Sequence, residues 1–390
     1  MVANPFTPVN LVGRQAELHQ ISRVLTEDGD LLIAGVPGSG RRILIRHAAR
    51  EVGARMIEID CLRATHSSRF LTLLAEGILA TFEAPEELAL IQKWSDRHPV
   101  VLEQSSNGRS RLVWHISPKE EWTLFQALLT LPQRLAEWLG CRVVIVFQNF
   151  PHIRSWDRSE QWENYLRQEI QQQIWVSYAL IATVAESWVQ QSNMQVVLLG
   201  PLQADDVATW LVETMADQNL KLDSQALDLF LNYVQGDMGT AITLARRLWL
   251  DHQVSEFERS AIDHPDPNQS ATLAPNPQSP IPNPQSRIAI LQSHQIYRST
   301  LSLVEDLSLT FESLLMLLPS SQVRVLESLA LDPTDSPHSR EYIQKHHLSR
   351  GGGLQGALAS LQQKGLVYGP EYGYQITMPL LAFWLKHRLA

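Results

Sequence analysis

One stretch restricts the fold of this chain more than any other: Gly35-Val36-Pro37-Gly38-Ser39-Gly40-Arg41-Arg42. An apolar run, Leu31-Leu32-Ile33-Ala34, precedes it, and a segment patterned as a helix, Ile43 to Val52, follows. Strand, glycine-rich turn and helix in that order form a cradle for phosphate. The backbone N–H groups turn inward and the helix N-terminus adds partial positive charge. Gly35 and Gly40 keep the G-x-x-x-x-G-K-[ST] spacing, with Pro37, Gly38 and Ser39 between them. The last two positions depart from it: Arg41 stands where Lys belongs and Arg42 where Ser or Thr belongs. The shape of the cradle is kept and its chemistry is altered.

Further strands are expected at Ala54–Asp60, which alternates with period two, and at the apolar runs Arg142–Phe147, Tyr178–Ala182 and Gln195–Leu199. Helical patterns at Ser67–Phe82 and Glu120–Leu139, the latter with a kink expected at Pro132, separate them. Strands alternating with helices predict an α/β fold, a doubly wound parallel sheet. This domain is expected to span residues 1–202, with a β-hairpin insertion at about 94–118 around Asn107-Gly108. Residues 203–262 read as an all-α lid, with one helix capped by Ser224. Residues 263–286 are rich in Pro, Asn, Gln and Ser, contain a short tandem repeat, and are expected to be an extended linker. Residues 287–390 read as a long helix from Arg287, then three short helices and a hairpin, the pattern of a winged helix-turn-helix, and a last helix from Pro379.

A length of 390 residues suits two or three domains. Net charge is −9, so the molecule as a whole is no polyanion binder, and any nucleic-acid contact needs a local basic surface. No apolar run is long enough to span a bilayer, and Met1-Val2-Ala3-Asn4-Pro5 lacks the pattern of a secretory signal. Two cysteines, Cys61 and Cys141, make neither a disulfide framework nor a metal site and read as buried thiols, so a cytoplasmic location is expected.

A nucleoside triphosphatase with such a loop needs a Lys on the β- and γ-phosphates, a hydroxyl and an acidic residue on Mg²⁺, and a group that orients the attacking water. The acidic pair sits at the end of an apolar strand; here that strand, Val143–Phe147, ends in Gln148-Asn149. Arg42 offers no oxygen to a cation, Gln148 offers only a neutral amide, and Asn149 has no proton affinity at neutral pH. No catalytic and no metal-ligating residue is therefore assigned. Arg41 can still pair with phosphate, and the arginine pair can neutralise phosphate charge where Mg²⁺ would otherwise do so. The expected cofactor is ATP or ADP, held without efficient hydrolysis; a bare glycine-rich turn with no ligand is the plainer alternative.

The segment Leu11-Val12-Gly13-Arg14, the loop at Gly35–Arg42, the strands Val143–Asn149 and Tyr178–Thr183 and the helical lid together resemble AAA+/STAND-type P-loop ATPases. The similarity is to the archaeal-ATPase-like branch related to origin-recognition ATPases. Leu348–Leu358, Lys364–Leu366 and Pro379-Leu380 are similar to the winged-helix tail of that branch. The resemblance implies that Val12, Gly13 and Arg14 line an adenine site and that Thr183 faces the γ-phosphate. The lid departs from the family, with Gly236-Asp237-Met238 in place of Gly-x-Pro. Arg246 and Arg247 lie on the lid helix that could reach phosphates, although a solvated face is the commoner use of such a pair.

Residues 338–390 carry six Lys or Arg against two Glu, a local excess of four positive charges. Arg350, Gln355 and Lys364 are the candidate nucleic-acid contacts: Gln can read base edges, Arg and Lys can pair with phosphate. The tip residue Glu371 opposes a groove-seeking wing, and winged helices also bind proteins. Three readings stand: a degenerate P-loop protein that binds nucleotide without turnover and acts on a protein partner through its winged helix; an active AAA+ ATPase whose altered site is compensated; and a DNA-binding regulator with the α/β domain as scaffold. No membrane partner is expected, and no oligomeric state is read.

Overall fold

The apolar runs become strands of one five-stranded sheet. The computed structural model describes residues 4–8, 10–104, 108, 110–114, 120–170, 174–262, 288–349 and 351–389. It divides into two units, residues 14–200 and residues 1–13 with 201–390. The expected linker at 263–286 and the hairpin residue Asn107 lie outside the described residues.

In the 14–200 unit the elements run α1 (Gln15–Thr26), β1 (Leu31–Gly35), α2 (Arg41–Glu51), β2 (Arg55–Asp60), α3 (Ser67–Thr81), α4 (Pro85–Ser95), β3 (Val101–Gln104), β4 (Ser110–Val113), α5 (Glu121–Leu139), β5 (Val143–Gln148), α6 (Gln161–Glu169), β6 (Val176–Ala182) and β7 (Gln195–Leu199). The sheet order is β2-β5-β6-β1-β7, and every neighbouring pair is parallel. Its three central strands are buried from end to end except at Gln148, as unbroken Val/Ile/Leu runs require when helices cover both faces. The edge strand β2 alternates: Ile57 and Ile59 are buried while Glu58 and Asp60 share the other face. β3 and β4 form a separate antiparallel pair, Val101 opposite Val113 and Gln104 opposite Ser110.

The core of this unit centres on Phe70, whose ring lies 5.9 Å from Phe125, 6.0 Å from Phe147, 5.5 Å from Trp156 and 6.4 Å from Trp162. Trp156 and Trp162, far from Phe70 in sequence, thus join one aromatic cluster with it. The sequence pattern leaves 83–93 unassigned, but a helix forms there, started by Pro85 at its first position with the Glu87 carboxylate accepting from the Ala84 N–H at 3.1 Å. α5 continues through Pro132 to Gly140, which takes a left-handed φ of 60°.

In the second unit come α7 (Ala204–Ala216), β8 (Leu220–Leu222), α8 (Ser224–Val234), α9 (Met238–Ile262), β9 (Ala289–Leu291), α10 (Ser293–Met316), α11 (Ser320–Leu331), α12 (Arg340–Lys345), α13 (Gly352–Gln363) and α14 (Pro379–Leu389). Three local expectations change. Asp223, not Ser224, caps α8, its carboxylate accepting from the Ala226 N–H at 2.7 Å. The helix expected from Arg287 starts at Ser293, because Ala289–Leu291 pairs in parallel with Leu220–Leu222. The expected C-terminal hairpin is reduced to single bridges, Val367 with Ile376 and Thr334 with Tyr374, around a 3-10 turn at Pro370–Tyr372. Leu326, Leu361, Leu381 and Leu385 sit at the centre of the three-helix C-terminal packing, fully buried. Among the described residues no helix is long and apolar enough to cross a membrane.

Candidate nucleotide site

The glycine-rich turn leaves β1 at the carboxyl edge of the sheet and enters α2. Gly38 and Gly40 take φ of 90° and 87°, values that keep side-chain-bearing residues out, and they let the chain fold back on itself. At Gly35 a Cβ would lie 2.8 Å from Ser39 Oγ and 3.0 Å from the Leu199 carbonyl oxygen, so only glycine permits that approach. The N-cap of α2 is Gly40, and no side chain caps the helix. Its first N–H groups are left for another acceptor. Ser39 Oγ is buried and has no hydrogen-bond partner among the described residues. Pro37 is exposed at the crest of the turn.

The two arginines that replace Lys and Ser/Thr have different surroundings. Arg41 turns inward and donates from Nη1 to the Ala182 carbonyl at the end of β6, at 2.7 Å. Burial pushes its guanidinium below the usual arginine range, and no carboxylate is paired with it among the described residues. Among the described residues this half-buried cation is paired with a backbone carbonyl and not with a charge. Thr183, the next residue along, is half-exposed.

Arg42 turns the other way. Its Nη2 and Nε donate to Glu58 Oε2 at 2.6 and 3.1 Å. Arg46, one turn on, donates from Nε to Glu58 Oε1 at 2.6 Å and from Nη2 to Oε2 at 2.9 Å. Gln148 adds its amide N–H to Oε2 at 3.3 Å. Burial raises the Glu58 carboxyl, but the hydrogen bonds and charges of Arg46 and Arg42 outweigh it and hold the group below the usual carboxylate range. The neighbouring Asn149 adopts a left-handed φ of 53° and donates its amide to Asp60 Oδ1 at 3.0 Å, where the Leu62 N–H also donates at 3.1 Å. Each amide at the end of β5 thus faces a carboxylate from β2. Register makes this so: Glu58 lies beside Val146 and Asp60 beside Gln148. Sequence reading passed over Glu58 and Asp60; the signal was the period-two alternation that puts both on one face.

The other predicted residues are distributed between the units. Arg14 belongs to the 14–200 unit. It has a left-handed φ of 65°, and its side chain is only 8% exposed. It donates to Glu17 Oε1 at 3.0 Å and to the Gly200 carbonyl, clasping the two ends of that unit. Val12 and Gly13 belong to the other unit, Val12 packing on its core and Gly13 lying against the Asp206 side chain. Arg247 is held by Asp251 at 2.9 Å, Asp306 at 2.7 Å and Ser302 at 2.5 Å, while Arg246 is exposed. Lys364 donates to Gln322 Oε1 at 2.7 Å, and Gln355 is exposed on α13. Arg350 lies outside the described residues. Two positive charges nearby are engaged: Lys345 by Asp332 at 2.6 Å, and Arg388 over the Trp384 ring at 5.2 Å.

A parallel sheet with β6 between β1 and β5, and a glycine turn opening a helix, define the P-loop NTPase fold. Residues 10–173 match the family model of the AAA ATPase domain, and residues 309–387 match that of a probable winged helix domain. The α/β unit is accordingly an AAA ATPase domain and the C-terminal residues are a winged helix domain. Among solved structures, the Walker-type ATPase PABY2304 of Pyrococcus abyssi is similar over 99% of both chains, with 15% identity and a TM-score of 0.59. The Aeropyrum pernix ORC2 protein in its ADP form covers 99% of this chain and 98% of its own, at 12% identity and a TM-score of 0.49. The Aeropyrum pernix ORC1 protein in complex with DNA covers 98% and 96%, at 15% identity and 0.45. At 15% identity the likeness to the Pyrococcus abyssi protein concerns the fold alone. No curated protein matches the chain in sequence.

Proposed function

We propose that the chain is a nucleotide-responsive P-loop protein. It holds ATP or ADP by the phosphates without efficient hydrolysis, and it acts on a protein partner through its winged helix. Arg41 carries this reading: a half-buried guanidinium with no carboxylate partner among the described residues, beside an uncapped helix N-terminus and the Ser39 hydroxyl, fits an anion. Bound nucleotide then stabilises the fold by mass action, so occupancy is itself the signal. Turnover is not supported by the chemistry at Arg42, Gln148 and Asn149, where neither a metal-binding hydroxyl nor a β5 carboxylate is present. The output surface is assigned to protein because the exposed positions of α13, among them Gly353, Gln355, Gly356, Ala359 and Gln363, carry no cation. Two free thiols, one of them buried, agree with a cytoplasmic setting.

The test is calorimetric titration of the full chain with ATP and ADP, alongside a phosphate-release assay. Binding without release is expected, and Arg41→Ala should weaken it at least about tenfold, the scale of one charge-assisted contact. Absence of binding, or an unchanged affinity in Arg41→Ala, would refute the reading.

A second reading, an active ATPase, has one observation in its favour. Glu58 and Asp60 bring two carboxylates beside the two amides of β5. If the wild type releases phosphate as fast as a variant carrying Arg41→Lys, Arg42→Thr, Gln148→Asp and Asn149→Glu, the second reading replaces the first. Binding of labelled duplex by the full chain, weakening steeply with salt, would move the output from protein to DNA.

A further inference from the structure

The fold implies a Mg²⁺ ion beside the phosphates, and the residues present do not fit one. Magnesium demands near-octahedral oxygen ligands. The position that would offer a hydroxyl is Arg42, and the strand-end position that would offer a carboxylate is Gln148, whose amide nitrogen faces Glu58. The Glu58 side chain is 16% exposed, and its oxygens already accept five N–H groups at 2.6–3.3 Å from Arg42, Arg46 and Gln148. Two guanidinium groups around one carboxylate leave the cluster with a surplus positive charge. A divalent cation would have to displace both arginines from Glu58 or settle beside that surplus. Among the described residues no group of three or more His, Cys, Asp or Glu is placed to hold a metal ion.

The same cluster supplies what the metal would have supplied. Glu58 fixes Arg42 through Nε and Nη2, and Nη1 has no protein partner among the described residues. Arg42 is the second residue of α2, and the side chain is 54% exposed. It is a cation held in place in the first turn of the helix that the glycine turn opens, with one N–H edge left over.

We propose that the site takes the magnesium-free form of the nucleotide, with Arg42, steadied by Glu58 and Gln148, standing as the built-in counter-cation. This rests on the nucleotide-binding reading above. It assigns a different ligand species from the metal complex that a hydroxyl-and-carboxylate site selects. Mg²⁺ then acts as a competitor in solution: it withdraws the free nucleotide and leaves the protein without its ligand.

The experiment is a calorimetric titration of the full-length wild type with ATP, once in EDTA and once in excess Mg²⁺. The expected result is tighter binding in EDTA, with apparent affinity in Mg²⁺ weaker by roughly tenfold or more. Equal or tighter binding in Mg²⁺ overturns the proposal while leaving nucleotide binding intact. No heat in either arm removes the nucleotide reading and this inference with it. A double variant, Arg42→Thr with Gln148→Asp, checked for a wild-type melting profile, is expected to reverse the order and bind better with Mg²⁺. If that folded variant keeps the EDTA preference, the cluster is not its cause and the proposal fails.

Discussion

Asp30 sits just before β1, at the end of the strand opposite the glycine turn, and its carboxylate is largely, though not wholly, shielded from water. Oδ1 accepts the Tyr178 N–H at 2.8 Å, and no cation pairs with it among the described residues. Desolvation raises its pKa from 3.8 to about 7, against the smaller opposing effect of the Tyr178 hydrogen bond. A carboxyl whose folded pKa is raised stabilises the native state fully below its unfolded pKa, and that contribution is lost as pH rises through the folded value. At 1.36 kcal/mol for each pH unit, the loss between pH 5.5 and pH 8 comes to about 2 kcal/mol. Asp30→Asn removes the titration and keeps an oxygen for the Tyr178 N–H. The variant should therefore gain about 2 kcal/mol on the wild type between those two pH values. Urea unfolding of both proteins at pH 5.5 and 8, followed by tryptophan fluorescence, measures the difference of differences. A gap between the two proteins that is the same at both pH values would refute the reasoning, because it would mean the buried carboxyl titrates like an exposed one.

Two further perturbations follow from the same unit. Glu163 is 1% exposed, accepts from Arg154 at 2.6 and 2.8 Å and from Arg167, and Arg154 reaches on to Glu186 at 2.8 Å. Glu163→Gln leaves the two arginines short of a charge in a largely buried site and should cost about 3 kcal/mol, read as a lowered urea midpoint with unchanged slope; a midpoint within error of wild type would count against the network. Gly35→Ala places a methyl 2.8 Å from Ser39 Oγ and 3.0 Å from Leu199, so the turn must shift; nucleotide affinity should fall more than roughly tenfold while the circular dichroism spectrum stays that of wild type, and retained affinity would separate Gly35 from the cradle.

Much of the α/β unit was legible because its signals are local. Continuous apolar runs at Leu31–Ala34, Val143–Phe147 and Tyr178–Ala182 specify strands covered on both faces, and the glycines of the turn specify a backbone that other residues resist. The arrangement that decides the chemistry is not local. Glu58 meets Arg42, Arg46 and Gln148 only because β2 lies next to β5 in the sheet, and strand order is a property of the crossovers rather than of either strand's composition. For the same reason the arginine pair looked like a unit in sequence, yet Arg41 and Arg42 turn to different partners on successive positions of a helix, about 100° apart. The short strand β9 was missed because three residues carry too little pattern to compete with the long helix that follows, and pairing with Leu220–Leu222 decides it.

The altered positions also constrain one another. Placing an aspartate at 148 while Arg42 and Arg46 remain would set a second carboxylate beside Glu58, and the two guanidinium groups would balance the two carboxylates instead of leaving them to a cation. Replacing Arg42 alone by threonine would supply the hydroxyl but leave Arg46 on Glu58 and an amide still facing it, so the divalent ion would meet a guanidinium where it needs an oxygen. Neither single change moves the site toward metal chemistry, because the carboxylate, the two guanidinium groups and the amide hydrogen-bond each other as one set. Arg41 stands outside that set, with a backbone carbonyl as its recorded partner. Arg41 and the Glu58 cluster can therefore be altered separately.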